Sequence, residues 1–196
     1  MLLSRRQFFV KERVAILKLT DIYDIFDVES QQQIGIAKEE PSSWAKFARL
    51  LINKALLPTT VNIYESESAP PVLTLTKKVA LFRPDVIVSD QNGRELGRLR
   101  AKAFSFGGGF HVYDPGGVHV AEVKGDWKGW NFQVIDDQGQ ELGVVTKKWS
   151  GLGKELFTSA DNYMISLSDI NGKVATTAGL LLAAGIAIDV IFKERK

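Results

Sequence analysis

A weak internal repeat of short strand–turn–strand units is the feature that most constrains how this chain can fold. Residues 86–99 and 132–145 each place an Asp three residues before a Gly and six residues before a Leu-Gly pair. Residues 111–123 keep the Asp-to-Gly spacing, and residues 23–36 keep the outline with one additional residue. Asp and Gly favour tight turns, and the alternating apolar residues on either side give each strand one buried face. Each unit therefore predicts a β-hairpin, and a spacing of roughly 22 to 24 residues predicts a meander that forms a barrel or a sandwich.

An apolar segment near the C-terminus, Val174 to Phe192, predicts a helix without a polar face. Such a helix must be surrounded by protein or by lipid. Its apolar run, Ala175 to Ile188, is 14 residues long and is followed by Asp189, whereas a membrane span needs about 20 apolar residues. We therefore expect the helix to lie inside its own sheet, with insertion into a bilayer as the alternative.

The composition is that of an ordinary folded protein. The chain has 196 residues, of which 45% are hydrophobic and 24% charged, so we expect one domain over residues 1–196. A net charge of +2 gives no indication of nucleic-acid binding. The absence of cysteine excludes disulfides, zinc–thiolate sites and palmitoylation. Early charges in the first residues do not fit a signal peptide, and a cytoplasmic location is expected.

A second helix is predicted over residues 42–57, between two prolines. Its apolar positions fall on one helical face: Trp44, Phe47, Ala48, Leu51 and Ala55. With Lys46, Arg49 and Lys54 elsewhere on its surface, this helix could lie in a membrane interface. The alternative is a helix that caps one end of the barrel.

The second half of the chain resembles the phospholipid scramblase family. The resemblance is carried by Asp126-Trp-Lys-Gly-Trp-Asn-Phe-Gln-Val-Ile, by the stretch from Leu142 to Tyr163, and by Leu182-Ala-Ala-Gly-Ile-Ala-Ile-Asp-Val-Ile-Phe-Lys-Glu. It is strongest from about residue 126 to the end. The family is similar in fold to the tubby C-terminal domain and the LURP-one-related proteins. The resemblance therefore implies a mainly β fold, a closed antiparallel tubby-like barrel of hairpin repeats around a buried hydrophobic C-terminal helix.

Members of this family are described as moving phospholipids between leaflets, often under calcium, which implies membrane-associated lipid binding. The segment that corresponds to the family's proposed calcium site offers three oxygen-donor residues, Asp161, Asn162 and Asp169. Calcium takes six to eight oxygen ligands. These residues therefore do not predict a complete calcium site, and no other cofactor is expected.

A basic stripe is predicted on one strand. Arg98, Arg100 and Lys102 alternate in sequence, so period two places all three on one face. Arginine can hold a phosphate with two parallel hydrogen bonds. The tubby-like fold is known for phosphoinositide binding through basic residues, so the resemblance supports a lipid-headgroup site here, with Lys46 and Arg49 as further candidates. The alternative is a solvated strand face.

No set of residues predicts bond-making chemistry. His111 and His119 flank a turn and could lie opposite each other, but a third metal ligand is missing from the pattern. A nucleophile, a base and an orienting group cannot be assembled. The sequence therefore predicts a protein that is not an enzyme. The resemblance implies a scramblase-related protein that binds anionic phospholipid, at the inner face of a membrane, and moves it between leaflets. The alternative is a soluble barrel that acts as a structural module or binds a protein partner.

Overall fold

Antiparallel strands joined mostly in sequence order form a closed barrel in the computed structural model. The structure describes residues 1–13, 20–52, 56–79, 83–102, 108–126, 128–148, 162–168 and 174–192. The strands of the described residues are β1 (Gln7–Glu12), β2 (Ile22–Asp27), β3 (Gln33–Glu39), β4 (Thr59–Tyr64), β5 (Leu73–Lys77), β6 (Asp85–Asp90), β7 (Glu95–Ala101), β8 (Gly109–Tyr113), β9 (His119–Asp126), β10 (Asn131–Asp136), β11 (Glu141–Thr146) and β12 (Asn162–Leu167). Each strand pairs with its neighbours in sequence, and β1 also pairs with β12, which closes the barrel. The predicted closed antiparallel barrel is confirmed.

The C-terminal helix, α2 (Val174–Phe192), is buried within this barrel. Its side chains from Leu181 to Ile191 are all buried, and they form one apolar core with the inward-facing residues of the strands. A methyl group added at Gly185 would lie only 2.5 Å from Ile165 Cδ1, so the lack of a side chain at Gly185 lets the helix pack closely against the wall. The predicted placement of the helix inside its own sheet is confirmed.

Asp189, which interrupts the apolar run, is accommodated by a partner on the wall. The Tyr23 hydroxyl donates a hydrogen bond to Asp189 Oδ2 at 2.7 Å, and both residues are buried. Burial, with the Asp189 carboxylate beside the ring, raises the pKa of Tyr23 well above its ordinary value, so the phenol keeps the proton that it donates. The helix therefore carries a polar group that is matched by the barrel.

The repeated hairpins have the turns that their sequence predicts. In the three short turns the Gly N–H donates to the Asp carbonyl three residues before it, and each Gly has a φ between +76° and +83°; these are Gly93 with Asp90, Gly117 with Asp114, and Gly139 with Asp136. The longer β2–β3 unit makes the corresponding bond from Gln31 to Asp27, with a φ of 56° at Gln31. Positive φ is the conformation that glycine adopts without steric cost.

The alternation of strand direction divides the connections between two ends of the barrel. One end, called the turn end, holds the described residues of the connections 28–32, 65–72, 91–94, 114–118, 137–140 and 168–173. The other, called the loop end, holds the described residues of the connections 13–21, 40–58, 78–84, 102–108, 127–130 and 147–161. Helix α2 begins at the turn end and ends at the loop end, where Asp189 meets the start of β2.

Candidate functional site

The predicted basic stripe lies on the outer wall of the barrel. Arg98 and Arg100 alternate along β7 with buried residues, so their side chains face outward. Lys102 follows directly after the last residue of β7, at the loop end. Arg100 lies near the same end, because it pairs across the sheet with Asp85, the first residue of β6. The structure thus brings the three predicted cations together on one face.

Each cation of the stripe has a carboxylate partner that the sequence pattern did not reveal. Arg98 Nη2 lies 3.2 Å from Glu95 Oε1. Arg100 donates to both carboxylate oxygens of Asp85, at 2.9 and 3.1 Å, and this hydrogen bonding raises the pKa of Arg100. The Arg98 and Arg100 pairs are partly exposed, so water screens them and a competing anion can reach the guanidinium groups.

Glu122 on β9 is the carboxylate that joins the stripe to a further lysine. It pairs with Lys102 and, through Oε2 at 2.9 Å, with Lys124. Burial by itself would raise the pKa of Glu122, but the two lysines outweigh it and lower that pKa to about 2. The carboxylate is therefore ionised across the whole physiological range.

Two recesses on the surface are lined by arginine side chains. One, of about 450 Å³, is lined by Arg5 and Arg6 and lies away from the stripe. The other is lined by Arg98 and Arg100 of the stripe. That recess has a volume of about 300 Å³ and is bounded by Arg98, Arg100, Tyr113 and the β8–β9 turn. The Arg100 guanidinium lies 5.2 Å from the centre of the Tyr113 ring, which is within cation–π range. Arg98 Nε is buried and has no hydrogen-bond partner among the described residues, so it is the terminal nitrogens of the guanidinium groups that a ligand could reach. The recess therefore presents guanidinium donors beside an aromatic wall.

The two histidines form a cross-strand pair next to this recess. His111 Nδ1 and His119 Nε2 lie 3.3 Å apart. Burial and the nearby Lys102 charge lower the pKa of His111. Among the residues that the structure describes, no group of three or more His, Cys, Asp or Glu could hold a metal ion.

The predicted helix over residues 42–57 is shorter than its apolar pattern suggested. The structure forms α1 only over Ser43–Ala48, and the chain continues in turns to residue 52. Ala55 and Lys54 fall outside the described residues. Packing of an apolar face supplies most of a helix's stability, and this segment lacks that packing.

The apolar side chains of this segment point into solvent. Phe47 is 74% exposed and Leu51 is 91% exposed, and Trp44 is exposed as well. The apolar face of this helix is therefore not packed against the barrel; the buried residue of α1 is Ala45. Lys46, one of the predicted lipid-contacting cations, is also exposed. We call residues 43–52 the α1 segment.

Arg49 has a different place from the one predicted. Its side chain is only 3% exposed, and it donates to both carboxylate oxygens of Glu39, at 2.6 and 3.0 Å. A third bond, at 3.1 Å, reaches Thr59 Oγ1. Because Glu39 ends β3 and Thr59 begins β4, Arg49 fastens the α1 segment to the barrel and is not presented to a headgroup.

Comparison with known proteins places this barrel in a family. The family model described as Scramblase matches residues 22–195, which is nearly the whole chain. The chain belongs to the scramblase family. A phospholipid scramblase family protein of Schizosaccharomyces pombe is 37% identical over 68 residues, covering 33% of this chain and 18% of that relative. No solved structure gives a significant match.

Within the described part of the chain, no helix combines the length and apolarity needed to cross a bilayer. Of the three candidate calcium ligands named from the sequence, Asp161 and Asp169 lie outside the described residues. Asn162 is the first residue of β12 and is buried.

Proposed function

We propose that this scramblase-family protein binds anionic phospholipid at a membrane surface, with the basic stripe as a headgroup contact. The observation that carries the proposal is the recess in which Arg98 and Arg100 lie beside Tyr113. A guanidinium group can donate two parallel hydrogen bonds to a phosphate, and it does not lose its charge at any physiological pH. Family membership supports phospholipid as the source of that phosphate.

The carboxylates of Glu95 and Asp85 do not prevent this contact. The ion pairs of Arg98 and Arg100 are partly exposed, and exposed pairs contribute only about 0–1 kcal/mol to stability. A phosphate can therefore replace or share a carboxylate at small cost. Tyr113 keeps the Arg100 guanidinium in place while its partner changes.

Vesicle co-sedimentation tests the proposal. The protein is expected to bind vesicles that contain phosphatidylserine more tightly than vesicles of phosphatidylcholine alone. Arg98→Glu with Arg100→Glu should weaken binding by about tenfold or more, because each basic residue near an anionic membrane contributes about 1 kcal/mol. Arg5→Glu with Arg94→Glu is the matched control, since it reverses two exposed charges at the turn end. Equal weakening by both pairs would remove the stripe as the site.

Movement of lipid between leaflets is the second part of the proposal. It is tested separately by the accessibility of a fluorescent phospholipid to a membrane-impermeant quencher, with and without calcium. Exchange faster than in protein-free vesicles would support a scrambling activity. If the protein bound no vesicle of any composition, the alternative, a barrel that binds a protein partner, would be favoured.

A further inference from the structure

Exposed apolar side chains are concentrated at one end of the barrel. Of the nine large hydrophobic residues that are exposed in the described part of the chain, six lie between Trp44 and Leu56 and a seventh is Val79. All seven belong to the connections 40–58 and 78–84, which both lie at the loop end. The other two, Met1 and Val118, lie at the turn end. Contiguous exposed apolar surface marks a place of contact with a partner or a membrane.

The charges are divided between the same two ends. Among the described residues, the loop-end connections contain nine Lys or Arg and two Asp or Glu, whereas the turn-end connections contain one Arg and five Asp or Glu. Arg5 and Arg6 precede β1 at the turn end and reduce that difference only in part. Six of the loop-end cations are exposed: Arg13, Lys46, Lys78, Arg83, Lys128 and Lys148. The barrel is thus basic at the end that carries the apolar residues.

The α1 segment is held in its exposed position by buried contacts. The ion pair of Arg49 with Glu39 fixes its middle, and the buried side chains of Ala45 and Leu57 fix its two sides. Thr59 pairs with Lys77, so the chain leaving the segment runs beside Lys78 and Val79. The two exposed apolar stretches are therefore neighbours on one anchored surface.

We infer that the loop end is the face with which the barrel docks onto an anionic lipid bilayer. The apolar side chains of the α1 segment and Val79 enter the boundary between headgroups and acyl chains, and the surrounding cations contact lipid phosphates. Trp44 has the amphipathic ring that is enriched at this boundary. The inference rests on the proposed phospholipid contact. Of the stripe, Arg100 and Lys102 lie at the loop-end margin of the wall and belong to the docking face. The recess beside Arg98 extends away from that margin, towards the β8–β9 turn.

Charge complementarity favours a bilayer over a second copy of the chain. A two-fold dimer through this face would bring two basic ends together, and like charges would oppose it. An anionic bilayer supplies the opposite charge over a broad area, together with an apolar layer for the exposed side chains. An acidic protein partner could also supply the charge, and the test includes that outcome.

Fluorophores attached to single introduced cysteines test the docking face. The sequence has no cysteine of its own, so each label reports on one position. Val79 and Val118 form a matched pair: they are 62% and 61% exposed, at opposite ends. Val79→Cys, Leu51→Cys and Val118→Cys are each labelled with an environment-sensitive fluorophore. The labelled proteins are mixed with vesicles containing phosphatidylserine, some of them made with brominated acyl chains. We expect blue-shifted emission and bromine quenching at positions 51 and 79, and neither at position 118.

The outcomes separate this inference from the proposed function. Co-sedimentation with no response at 51 and 79, or with a response at 118, would overturn the docking face and leave phospholipid binding standing. Failure to co-sediment with any vesicle would overturn both. A blue shift at positions 51 and 79 that appears without vesicles and increases with protein concentration would indicate self-association through this face. That result would overturn the docking face.

A variant with fewer apolar side chains gives a second test. Phe47→Ser with Leu51→Ser should weaken vesicle binding at least about tenfold, because it removes two large apolar side chains that would be buried in the lipid. Gln138→Ser, in the exposed turn 137–140 at the turn end, should leave binding unchanged. Since these side chains are exposed, the thermal midpoint of unfolding should stay the same. Unchanged vesicle binding by the double variant would contradict the inference and favour an acidic protein as the partner of this face.

Discussion

The two ends of the barrel are built by different means. Connections at the turn end are four to eight residues long, and three of them are closed by an Asp carbonyl and a Gly with positive φ. Those at the loop end range from four to nineteen residues, and the longest is fastened by a buried ion pair. Local sequence specifies the turn end, whereas contacts between distant residues specify the loop end. The proposed docking surface is thus at the end where tight turns do not constrain the sequence.

The interior shows the same difference. Eight polar or charged residues are buried among the described residues, and only Asp27 lies at the turn end. The other seven lie at the loop-end termini of strands or near the end of α2: Glu12, Glu39, Thr59, Lys77, Thr146, Asn162 and Asp189. Buried polar groups need partners, so this end of the core depends on specific hydrogen bonds and ion pairs.

The largest expected difference between the ends concerns ion pairs. Arg49→Ala should lower the free energy of unfolding by about 3–5 kcal/mol, because it leaves Glu39 buried without its cation. Arg94→Ala at the turn end removes an exposed pair with Asp90 and should have no measurable effect. Chemical denaturation of both variants measures this. Equal losses would mean that the ion pair does not distinguish the loop end.

A smaller effect is expected at Glu122, beside the loop-end margin. Its pKa of about 2 lies below the ordinary value of 4.5, so its ionised form stabilises the fold above pH 4.5, and that stability is lost as the pH falls towards 2. Glu122→Gln should therefore cost about 2 kcal/mol at pH 7 and progressively less on acidification. Unfolding free energies between pH 2 and pH 7 measure it. Glu29→Gln, at the turn end, is the control, and a pH-independent loss at Glu122 would contradict the explanation.

The smallest effect distinguishes the turns themselves. Gly139→Ala should cost about 1–2 kcal/mol, since an L-residue is strained at its φ of +83°. Gly129→Ala, in a loop-end connection, has no positive φ to maintain, and the added methyl would meet only the flexible carboxylate of Asp126. Its cost should be about 0.5 kcal/mol or less. Thermal unfolding of the two variants measures these costs. Similar losses of stability in both would show that turn conformation does not distinguish the two ends.

The sequence predicted those parts of the fold that local patterns determine. Alternation and the Asp–Gly spacing predicted the hairpins, and the apolar run predicted α2 with its observed bounds. The three cations of the stripe were predicted to share a face because side chains two residues apart in one strand point to the same side of the sheet. The partners of its cations were missed, since Asp85 faces Arg100 only through the register of β6 on β7.

The α1 segment shows where such reasoning fails. Apolar residues at helical spacing usually indicate a buried face, yet Phe47 and Leu51 are exposed here. Arg49 has the sequence character of a surface cation, but Glu39 and Thr59 bind it inside. Both outcomes depend on how β3 and β4 end, which is a tertiary property. The sequence feature that could have indicated an exposed segment is the occurrence of several cations together with large apolar residues in one connection.

Hydrogen exchange of the full chain, with and without vesicles containing phosphatidylserine, tests most directly whether the loop end meets the membrane while α2 stays inside the barrel. The predicted result is slower exchange in residues 43–52 and 78–79, with no change in the turns 91–94 and 137–140 or in α2. Slower exchange at those turns, or altered exchange along α2 from its departure into lipid, would contradict this orientation.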